Sequence, residues 1–398
     1  MNLKEATKPL GVSEFFNQHW GVKPVYIEGE DGKFASLLRW DDLNDIIRHH
    51  HLEYPRLRLA KSGEILEQTQ FFDHKDTESG ETVSSLRLPQ VYRQLRDGAT
   101  LILDSVDDLH EPVSRLSESL EWSFRNPTQV NAYVSCHPTE GFSLHWDDHD
   151  VLIFQVHGIK EWEVRAQSRR APLQNDVKHS NHPPSDIKWK GALTPGDLLY
   201  IPRGWWHVAQ ATGDPTLHLT LGVNKPTGVD LLRWIGDKLK SYEVFRQDLP
   251  RFAAEPERES HMSKIKEILF HLWESEAELL DDYFKDRDGR SKPSLSPDLP
   301  QAMRQNVLSS SNSISIRATV SCPIEPETGS NDSVQFRCNG KVFQFLPGTK
   351  SLVSTLLDGS THRLSEIYGM KPEDVDTDQV DNMICKLILE GILTLEEN

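Results

Sequence analysis

Cysteine is scarce in this sequence, and the few cysteines it has are widely separated. The chain has four, Cys136, Cys322, Cys338 and Cys385, and no CxxC pair. Such a scatter supports neither a disulfide framework nor a zinc knuckle. A reducing cytoplasm is therefore the simplest location to expect for this chain.

Long apolar segments are also missing. No stretch of about 18 consecutive apolar residues occurs, so no membrane-spanning helix is expected. The opening segment, MNLKEATKPLGVSEFF, carries charges throughout and has no apolar run of signal-peptide length. We therefore expect a cytoplasmic protein without a membrane partner.

Positive charge is in deficit. The chain has 44 Lys and Arg against 61 Asp and Glu, a formal net charge of −17. So acidic a chain is a poor general binder of nucleic acid, and no DNA partner is expected. The charge suits a basic partner, or it reflects solubility alone.

The composition is otherwise that of a globular protein, with 37% hydrophobic residues, 10 Trp, 8 Tyr and 15 Phe. At roughly 150 residues per domain, 398 residues predict two or three domains. Short apolar segments separated by turns predict a β-sandwich or barrel, with strands at Val130–Ser135, Val151–Val156, Glu161–Arg165, Leu198–Ile201 and Thr216–Val223. Residues 167–190 read as a long polar loop.

The pattern changes after this region. Apolar residues follow a helical period from Gly228 to about residue 290, and a Pro- and Ser-rich linker follows at residues 291–312. Residues 313–398 then combine alternating segments, two short helices and a terminal strand, the order of a winged-helix-like module. The predicted organisation is residues 1–227, 228–290, 291–312 and 313–398.

One short motif predicts a metal site. His145 and Asp147 are two positions apart just before an apolar strand, and residues i and i+2 of an extended chain project from the same face. His207, in the segment PRGWWH after a Pro-Gly-Asp turn, supplies a third ligand from another strand. Two histidines and one carboxylate form the facial triad of non-haem Fe(II) oxygenases, which leaves positions open for other ligands. The alternative is a pair of ordinary core histidines.

Other polar residues near this motif have two interpretations. Asp148, His149 and Asp150 crowd the site and could offer other ligands, but Asp148 and Asp150 lie out of phase with His145 and Asp147. Lys160 begins the strand after a turn at Gly158 and is either a buried partner of an anion or a surface lysine paired with Glu161 or Glu163. The tract His49–His51 is expected to be a solvated helix surface.

Taken together, these motifs resemble the JmjC ribosomal oxygenases, a cupin-fold branch of the Fe(II)/2-oxoglutarate dioxygenases. The motifs that carry the resemblance are Phe15–Ile27, Asn131-Ala-Tyr133, His145-Trp-Asp147-Asp, Val151–Trp162, Pro195–His207 and Leu217–Leu221. The resemblance covers most of the chain, although in the C-terminal part it is one of pattern only.

The resemblance implies a mainly β catalytic core, a double-stranded β-helix of the cupin or jelly-roll type. A helical dimerisation region and a C-terminal winged-helix-like domain would follow, and the protein would be a homodimer. The residues that match the iron ligands are His145, Asp147 and His207. Those that match the 2-oxoglutarate pocket are Lys160, at the distal carboxylate, and Asn131, Tyr133 and Thr220, with weaker support for His218. Dioxygen would be the second co-substrate.

The expected function is hydroxylation of a side chain in a protein or peptide substrate, with a basic ribosomal protein as one candidate. Two departures from the family, Trp205-Trp206 and Gly222–Asn224, leave the substrate open. A peptide natural product or a small metabolite is the alternative substrate, with Trp162, Trp205 and Trp206 as an apolar rim. A non-catalytic metal-binding cupin is a third interpretation.

The tail carries an acidic segment, Glu373–Asp381, with five carboxylates in nine residues. Phosphate groups dominate nucleic-acid affinity, so this segment argues against a DNA-binding winged helix. The carboxylates either dock a substrate or cap a helix.

Overall fold

The computed structural model describes residues 1–76, 82–173, 182–274, 276–303, 308 and 314–397. The chain divides into two compact units, Met1–Lys225 and Pro226–Asn398. The boundary between these units therefore lies two residues before the first domain boundary predicted from the sequence, at residue 227. Residues 304–307 and 309–312 of the predicted linker lie outside the described residues. Among the residues described, no helix combines the length and the apolar composition needed to cross a membrane.

The first unit holds thirteen strands among its described residues. They are β1 (Val25–Ile27), β2 (Leu57–Lys61), β3 (Glu64–Ile65), β4 (Phe72–Asp76), β5 (Thr82–Leu86), β6 (Thr100–Leu103), β7 (Thr128–Ser135), β8 (Asp150–His157), β9 (Lys160–Gln167), β10 (Ile187–Leu193), β11 (Leu198–Ile201), β12 (Trp205–Ala211) and β13 (Thr216–Val223). Its helices are α1 (Leu3–Ala6), α2 (Val12–Glu14), which continues into a π-helical turn at Phe15–His19, α3 (Trp40–His49), α4 (Leu88–Arg96) and α5 (Glu111–Phe124).

Two antiparallel sheets form the core of this unit. The larger has the strand order β1-β11-β8-β13-β7-β6-β2-β3, and the smaller has the order β10-β9-β12. Apolar residues from β8 and β11 pack against residues from β9 and β10 in one cluster, so the two sheets face each other. This arrangement confirms the predicted double-stranded β-helix.

Strand β8 shows why the sheets stack in this way. Leu152 and Phe154 point into a large cluster that also contains side chains from α3 and α5, whereas Val151 and Ile153 point toward the smaller sheet. Because both faces are covered, the strand is apolar at almost every position rather than at every second one. The turn after it needs Gly158, whose φ is +67° and whose Cβ would lie 2.3 Å from the Pro215 carbonyl oxygen.

In the region of the predicted β-sandwich or barrel, strands β10 and β12 were not among the five strands predicted. Strand β10 lies partly within residues 167–190, which we expected to be a loop, and β12 carries His207. Residues 174–181 of that predicted loop lie outside the described residues. Strand β10 alternates polar and half-buried positions at a sheet edge, so its apolar signal is weak.

The second unit begins with helices, as predicted. They are α6 (Gly228–Leu239), α7 (Glu243–Arg246), α8 (Glu255–Trp273) and α9 (Glu276–Asp288). Thr227 and Asp230 form a capping box at the start of α6. Trp234 packs edge-on against Tyr283 of α9, and its indole N–H donates to Asp286 at 2.8 Å. These contacts fix α6 against α9.

The remainder of this unit contains two small sheets and three helices. The strands are β14 (Ile314–Ala318), β15 (Glu327–Thr328), β16 (Val334–Cys338), β17 (Lys341–Phe345), β18 (Thr361–Arg363) and β19 (Leu393–Glu397), and the helices are α10 (Lys350–Leu356), α11 (Leu364–Gly369) and α12 (Thr377–Leu389). The sheets have the orders β18-β14-β19 and β15-β16-β17. The order α10-β18-α11-α12-β19 is compatible with a winged helix, which remains a prediction, as does a separate domain at residues 313–398.

Part of the acidic segment has a structural role. Asp376 is the N-cap of α12 and accepts a hydrogen bond from the Gln379 N–H at 2.7 Å. Asp381 accepts a hydrogen bond from the Tyr368 hydroxyl at 2.5 Å. The helix-capping interpretation is therefore confirmed for Asp376.

Helix α8 leaves a large apolar surface uncovered, and we expect a second copy of the chain to cover it. No described residue of this helix is buried, and Met262, Phe270 and Trp273 are all exposed. A symmetric pair would bury these side chains, and twofold pairing is the commonest closed assembly. Sedimentation of the full chain should therefore give twice the 45.5 kDa monomer mass. Phe270→Glu should shift it toward the monomer.

Leu389→Glu is the matched control, because Leu389 is equally exposed but lies at the end of α12. It should leave the sedimenting mass unchanged. A wild-type chain that sediments as a monomer at micromolar concentration contradicts the homodimer.

Candidate active site

The structure brings His145, Asp147 and His207 together. One possible ligand atom from each lies within 4.8 Å of the others. The Nε2 atoms of His145 and His207 are 4.0 and 3.4 Å from the Asp147 carboxylate oxygens. Two imidazoles and a carboxylate thus surround one point in space, as a single metal ion requires.

Backbone hydrogen bonds hold this arrangement. His145 and His207 exchange N–H to carbonyl bonds of 3.1 and 2.7 Å, and the Gly204 N–H donates to the Asp147 carbonyl at 2.9 Å. His207 lies in β12, but His145 and Asp147 lie in an irregular segment before β8 rather than in a regular strand. A single pair of strand-like bonds is enough to direct His145 and His207 to the same side.

The hydrogen bonds of the two imidazoles leave one nitrogen of each available. Nδ1 of His145 lies 2.8 Å from the Ser143 carbonyl oxygen, and Nδ1 of His207 lies 3.1 Å from that of Trp205. A carbonyl oxygen can only accept, so each Nδ1 carries the proton and each Nε2 presents its lone pair toward Asp147. This is the tautomer that a metal ligand needs.

The ionisation states agree with this role. Burial, reinforced by His145, lowers the pKa of His207, so its imidazole is neutral near pH 7. Burial opposes ionisation of Asp147, but the neighbouring His207 and His145 outweigh it and the pKa of this carboxyl is lowered. His207 therefore offers a neutral nitrogen and Asp147 a negative charge.

A cavity of about 320 Å³ opens beside these residues. All seven site residues predicted from the sequence line it: Asn131, Tyr133, His145, Asp147, Lys160, His207 and Thr220. We define its floor as Lys160, Trp162 and His218, which are almost fully buried, and its mouth as Gln129 and Asn224, which are exposed. Within the triad, His207 is as buried as the floor, whereas the His145 side chain is partly exposed.

Three polar groups on the floor have no partner. Lys160 is 5% exposed and forms no described hydrogen bond or ion pair, so the surface-lysine interpretation does not hold. Burial lowers the pKa of Lys160 to about 7. The Trp162 Nε1 and His218 Nδ1 atoms are also buried and unpaired. Unsatisfied buried donors are costly, so this floor is built for a ligand with acceptors.

The glutamates proposed as partners of Lys160 have other contacts. Glu163 accepts from Arg165 at 2.6 Å and from Lys190 at 3.0 Å. Glu161 accepts from Gln210 at 3.1 Å. The two glutamates alternate along β9 with Lys160 and Trp162, which line the cavity. Their side chains therefore point to the opposite face of the strand.

Asn131 and Tyr133 form one wall. The Asn131 Oδ1 accepts from the Ser105 N–H at 3.0 Å, which fixes the amide so that its NH₂ donates toward the Tyr133 hydroxyl. Burial, reinforced by Asp147, raises the pKa of Tyr133 to about 12, so the hydroxyl keeps its proton. Its ring stacks on His218 with centroids 4.9 Å apart. Thr220 lies directly opposite Asn131 on β13.

The predicted apolar rim is wrong. Trp206 is buried outside the cavity and donates to the Ser168 hydroxyl at 3.0 Å, and Trp205 lines a different cleft. Only Trp162 reaches the cavity, and it belongs to the floor. Adjacent residues of a strand point to opposite faces, and a register shift between Trp205 and Trp206 adds a local irregularity, so the two rings do not form one rim.

Two other expectations about polar residues hold. His49, His50 and His51 are exposed, and His51 pairs with Glu53 rather than with another histidine. Asp148 contacts His149 at 3.1 Å and is not part of the ligand group. Asp150 is also outside it, but it has a network of its own that the sequence did not reveal.

Comparison with known proteins places these residues in a family context. Residues 108–231 match the JmjC domain family. The uncharacterized protein YxbC of Bacillus subtilis is 27% identical over 266 residues, which span 62% of this chain and 78% of that protein. Ribosomal oxygenase 1 of Gallus gallus is 27% identical over 218 residues, or 54% of this chain and 35% of that protein.

A further relative is the bifunctional lysine-specific demethylase and histidyl-hydroxylase NO66 of Drosophila persimilis, 25% identical over 55% of this chain and 31% of that protein. The chain thus spans about a third of these two animal relatives. Among solved structures, the ribosomal oxygenase YcfD from Escherichia coli has a TM-score of 0.61 at 17% identity and covers 98% of both chains. At this identity the likeness is one of fold. The resemblance to JmjC ribosomal oxygenases is confirmed.

We expect His207→Ala to abolish binding of Mn(II) at concentrations that saturate the wild-type chain. The substitution removes one of the three ligands, and the two that remain cannot form a facial triad. Titration of Mn(II), followed by electron paramagnetic resonance, measures the loss. His51→Ala is the control, since it removes an exposed histidine from the same unit. Unchanged binding in His207→Ala contradicts the ligand assignment.

Proposed function

We propose that this chain is an Fe(II)- and 2-oxoglutarate-dependent oxygenase that hydroxylates a side chain of a protein or peptide. One observation carries the proposal. A three-ligand metal site lies in the same cavity as a buried, unpaired ammonium group, that of Lys160. A dicarboxylate that binds the metal at one end and the ammonium at the other would satisfy both.

The donor set fits iron. Two imidazoles and one carboxylate suit Fe(II), and three protein ligands leave room for further ligands. Fe(II) with 2-oxoglutarate and dioxygen supplies the oxidising power that no side chain has. The solved complex of YcfD with cobalt and 2-oxoglutarate, 18% identical to this chain, is compatible with such a pairing.

The floor fits the distal carboxylate of 2-oxoglutarate. Lys160 supplies a positive charge, and the Trp162 Nε1 and His218 Nδ1 atoms are unpaired in the same part of the cavity. A charge-assisted hydrogen bond inside a dry cavity is stronger than one at the surface. Lys160 would therefore hold the co-substrate, and the neighbouring groups would set its orientation.

The wall residues have a positioning task. Because the Asn131 amide donates toward Tyr133, the Tyr133 hydroxyl is free to direct its own proton into the cavity. The aromatic floor and the covering sheet exclude water, which protects the reaction from side products. Thr220 adds a hydroxyl opposite Asn131.

The proposed substrate is a protein or peptide, with a basic ribosomal protein as one candidate. Net charge of −17 favours a basic partner, and the names of two relatives describe a ribosomal oxygenase and a histidyl-hydroxylase. Lys160 is the only Lys or Arg among the cavity-lining residues that the structure describes, and it lies at the floor. The mouth therefore holds no cation to repel a basic side chain.

Intact-mass analysis tests this proposal. A ribosomal protein extract incubated with the chain, Fe(II), 2-oxoglutarate and dioxygen should contain a protein heavier by one oxygen atom, and succinate should form. Formaldehyde and a mass loss of one methylene would instead assign demethylation. Absence of succinate under all conditions would favour the non-catalytic cupin.

Lys160→Ala should raise the concentration of 2-oxoglutarate that half-saturates the chain about ten- to a hundredfold. A charge-assisted contact contributes about 1.5–3 kcal/mol, and about 1.4 kcal/mol corresponds to a factor of ten. Since the pKa of Lys160 is lowered to about 7, wild-type affinity should fall as the pH rises above 7 and the ammonium loses its proton. Calorimetry with Mn(II) present measures both effects.

Lys190→Ala is the control. This lysine lies on the neighbouring strand β10, is exposed and pairs with Glu163. It should change neither the affinity nor its pH dependence. If Lys160→Ala behaves in the same way, Lys160 has no role in co-substrate binding.

A further inference from the structure

Two short segments carry the three candidate ligands, and they are connected by a side chain as well as by the backbone. The backbone bonds join His145 to His207 and Asp147 to Gly204. In addition, the Arg203 N–H donates to Oδ1 of Asp150 at 3.0 Å. Asp150 lies three residues after Asp147, and Arg203 lies four residues before His207. This bond is therefore a further connection between the two segments that carry the ligands.

The Asp150 carboxylate is fully buried and fully satisfied. Its Oδ2 accepts from the Tyr200 hydroxyl and from the Lys225 ammonium, the latter at 2.5 Å. An unpaired carboxylate at this depth would be strongly destabilising. The contacts with Lys225, Tyr200 and the Arg203 N–H therefore hold the Asp150 side chain in place, away from the ligand set.

Lys225 is held in turn by the N-terminal segment. Its ammonium lies 4.7 Å from the centre of the Trp20 ring, and the Trp20 ring stacks on Tyr200. The Gly21 N–H donates to the Tyr200 hydroxyl at 2.7 Å. A Cβ on Gly21 would lie 3.0 Å from the Lys225 ammonium, so little room remains for the lysine to move.

We propose that Asp150 and Lys225 form a positioning pair that fixes the separation of Asp147 and His207 and thereby sets the affinity for the metal. Neither residue touches the metal position. The pair acts through the Arg203–Gly204 turn, which bonds Asp150 through its first N–H and Asp147 through its second. This inference depends on the metal site of the proposed function.

The test separates positioning from stability. The double variant Asp150→Leu, Lys225→Met replaces a buried ion pair by apolar groups of similar volume, an exchange that often preserves stability. It also removes the acceptor of the Arg203 N–H. We expect the melting temperature to stay near that of the wild-type chain, while affinity for Mn(II), measured by calorimetry, falls about tenfold or more.

Tyr200→Phe is the matched control. It removes a hydroxyl from the same network but leaves the bond between Arg203 and Asp150, so it should lower the melting temperature without changing Mn(II) affinity. If the double variant does not fold, Asp150→Glu replaces it, because a longer carboxylate keeps the charge but displaces the Arg203 contact. Lower Mn(II) affinity is again expected.

The outcomes distinguish this inference from the proposed function. Wild-type Mn(II) affinity in both the double variant and Asp150→Glu contradicts the positioning role. Affinity that falls in Tyr200→Phe in proportion to its melting temperature also contradicts it, because stability would then explain the loss. A wild-type chain that does not bind Mn(II) contradicts the proposed metal site itself.

Discussion

Double burial of strand β8 is the constraint on which the rest of the first unit depends. One face of the strand packs into the main cluster through Leu152 and Phe154, and the other faces the smaller sheet through Val151 and Ile153. A strand covered on both sides has no solvent face on which polar side chains could be placed. Two of the candidate ligands, His145 and Asp147, therefore lie just before the strand, where the backbone is irregular, and the third, His207, comes from β12.

The same geometry explains why polar groups remain unsatisfied inside. The floor of the cavity buries Lys160, Trp162 and His218 among apolar neighbours, and their free donor atoms cost stability. Groups that a folded chain leaves unpaired at such cost are typical of binding sites rather than of structural cores. The Asp150 network is the contrasting case, since each of its buried charges has a partner within the fold.

Local patterns in the sequence revealed the parts of the site that are close together in the chain. The spacing of His145 and Asp147 and the segment before His207 were sufficient to infer three converging ligands. Residue patterns alone favoured a surface position for Lys160, and only the family resemblance favoured the cavity. The tryptophan rim failed because Trp205 and Trp206 contact different parts of the fold, next to a register shift that has no clear signal in the sequence.

Such local patterns do not reveal contacts between residues that are distant in the sequence. Lys225 lies 75 residues from Asp150, and Tyr200 lies 50 residues from it. Nothing near Asp150 in the sequence distinguishes it from the partly buried Asp148, because one aspartate has the same local preferences as the other. Only the fold, which brings β8, β11 and the end of β13 side by side, shows which of the two is buried.

The distribution of exposure also constrains how the proposed reaction can proceed. Lys160 and His218 are nearly inaccessible, whereas His145 and the residues of the mouth contact solvent. A dicarboxylate that binds at the floor would therefore have to enter through the mouth of the same cavity. A substrate already bound at the mouth would obstruct that entry, so the proposed reaction favours binding of the co-substrate before the substrate.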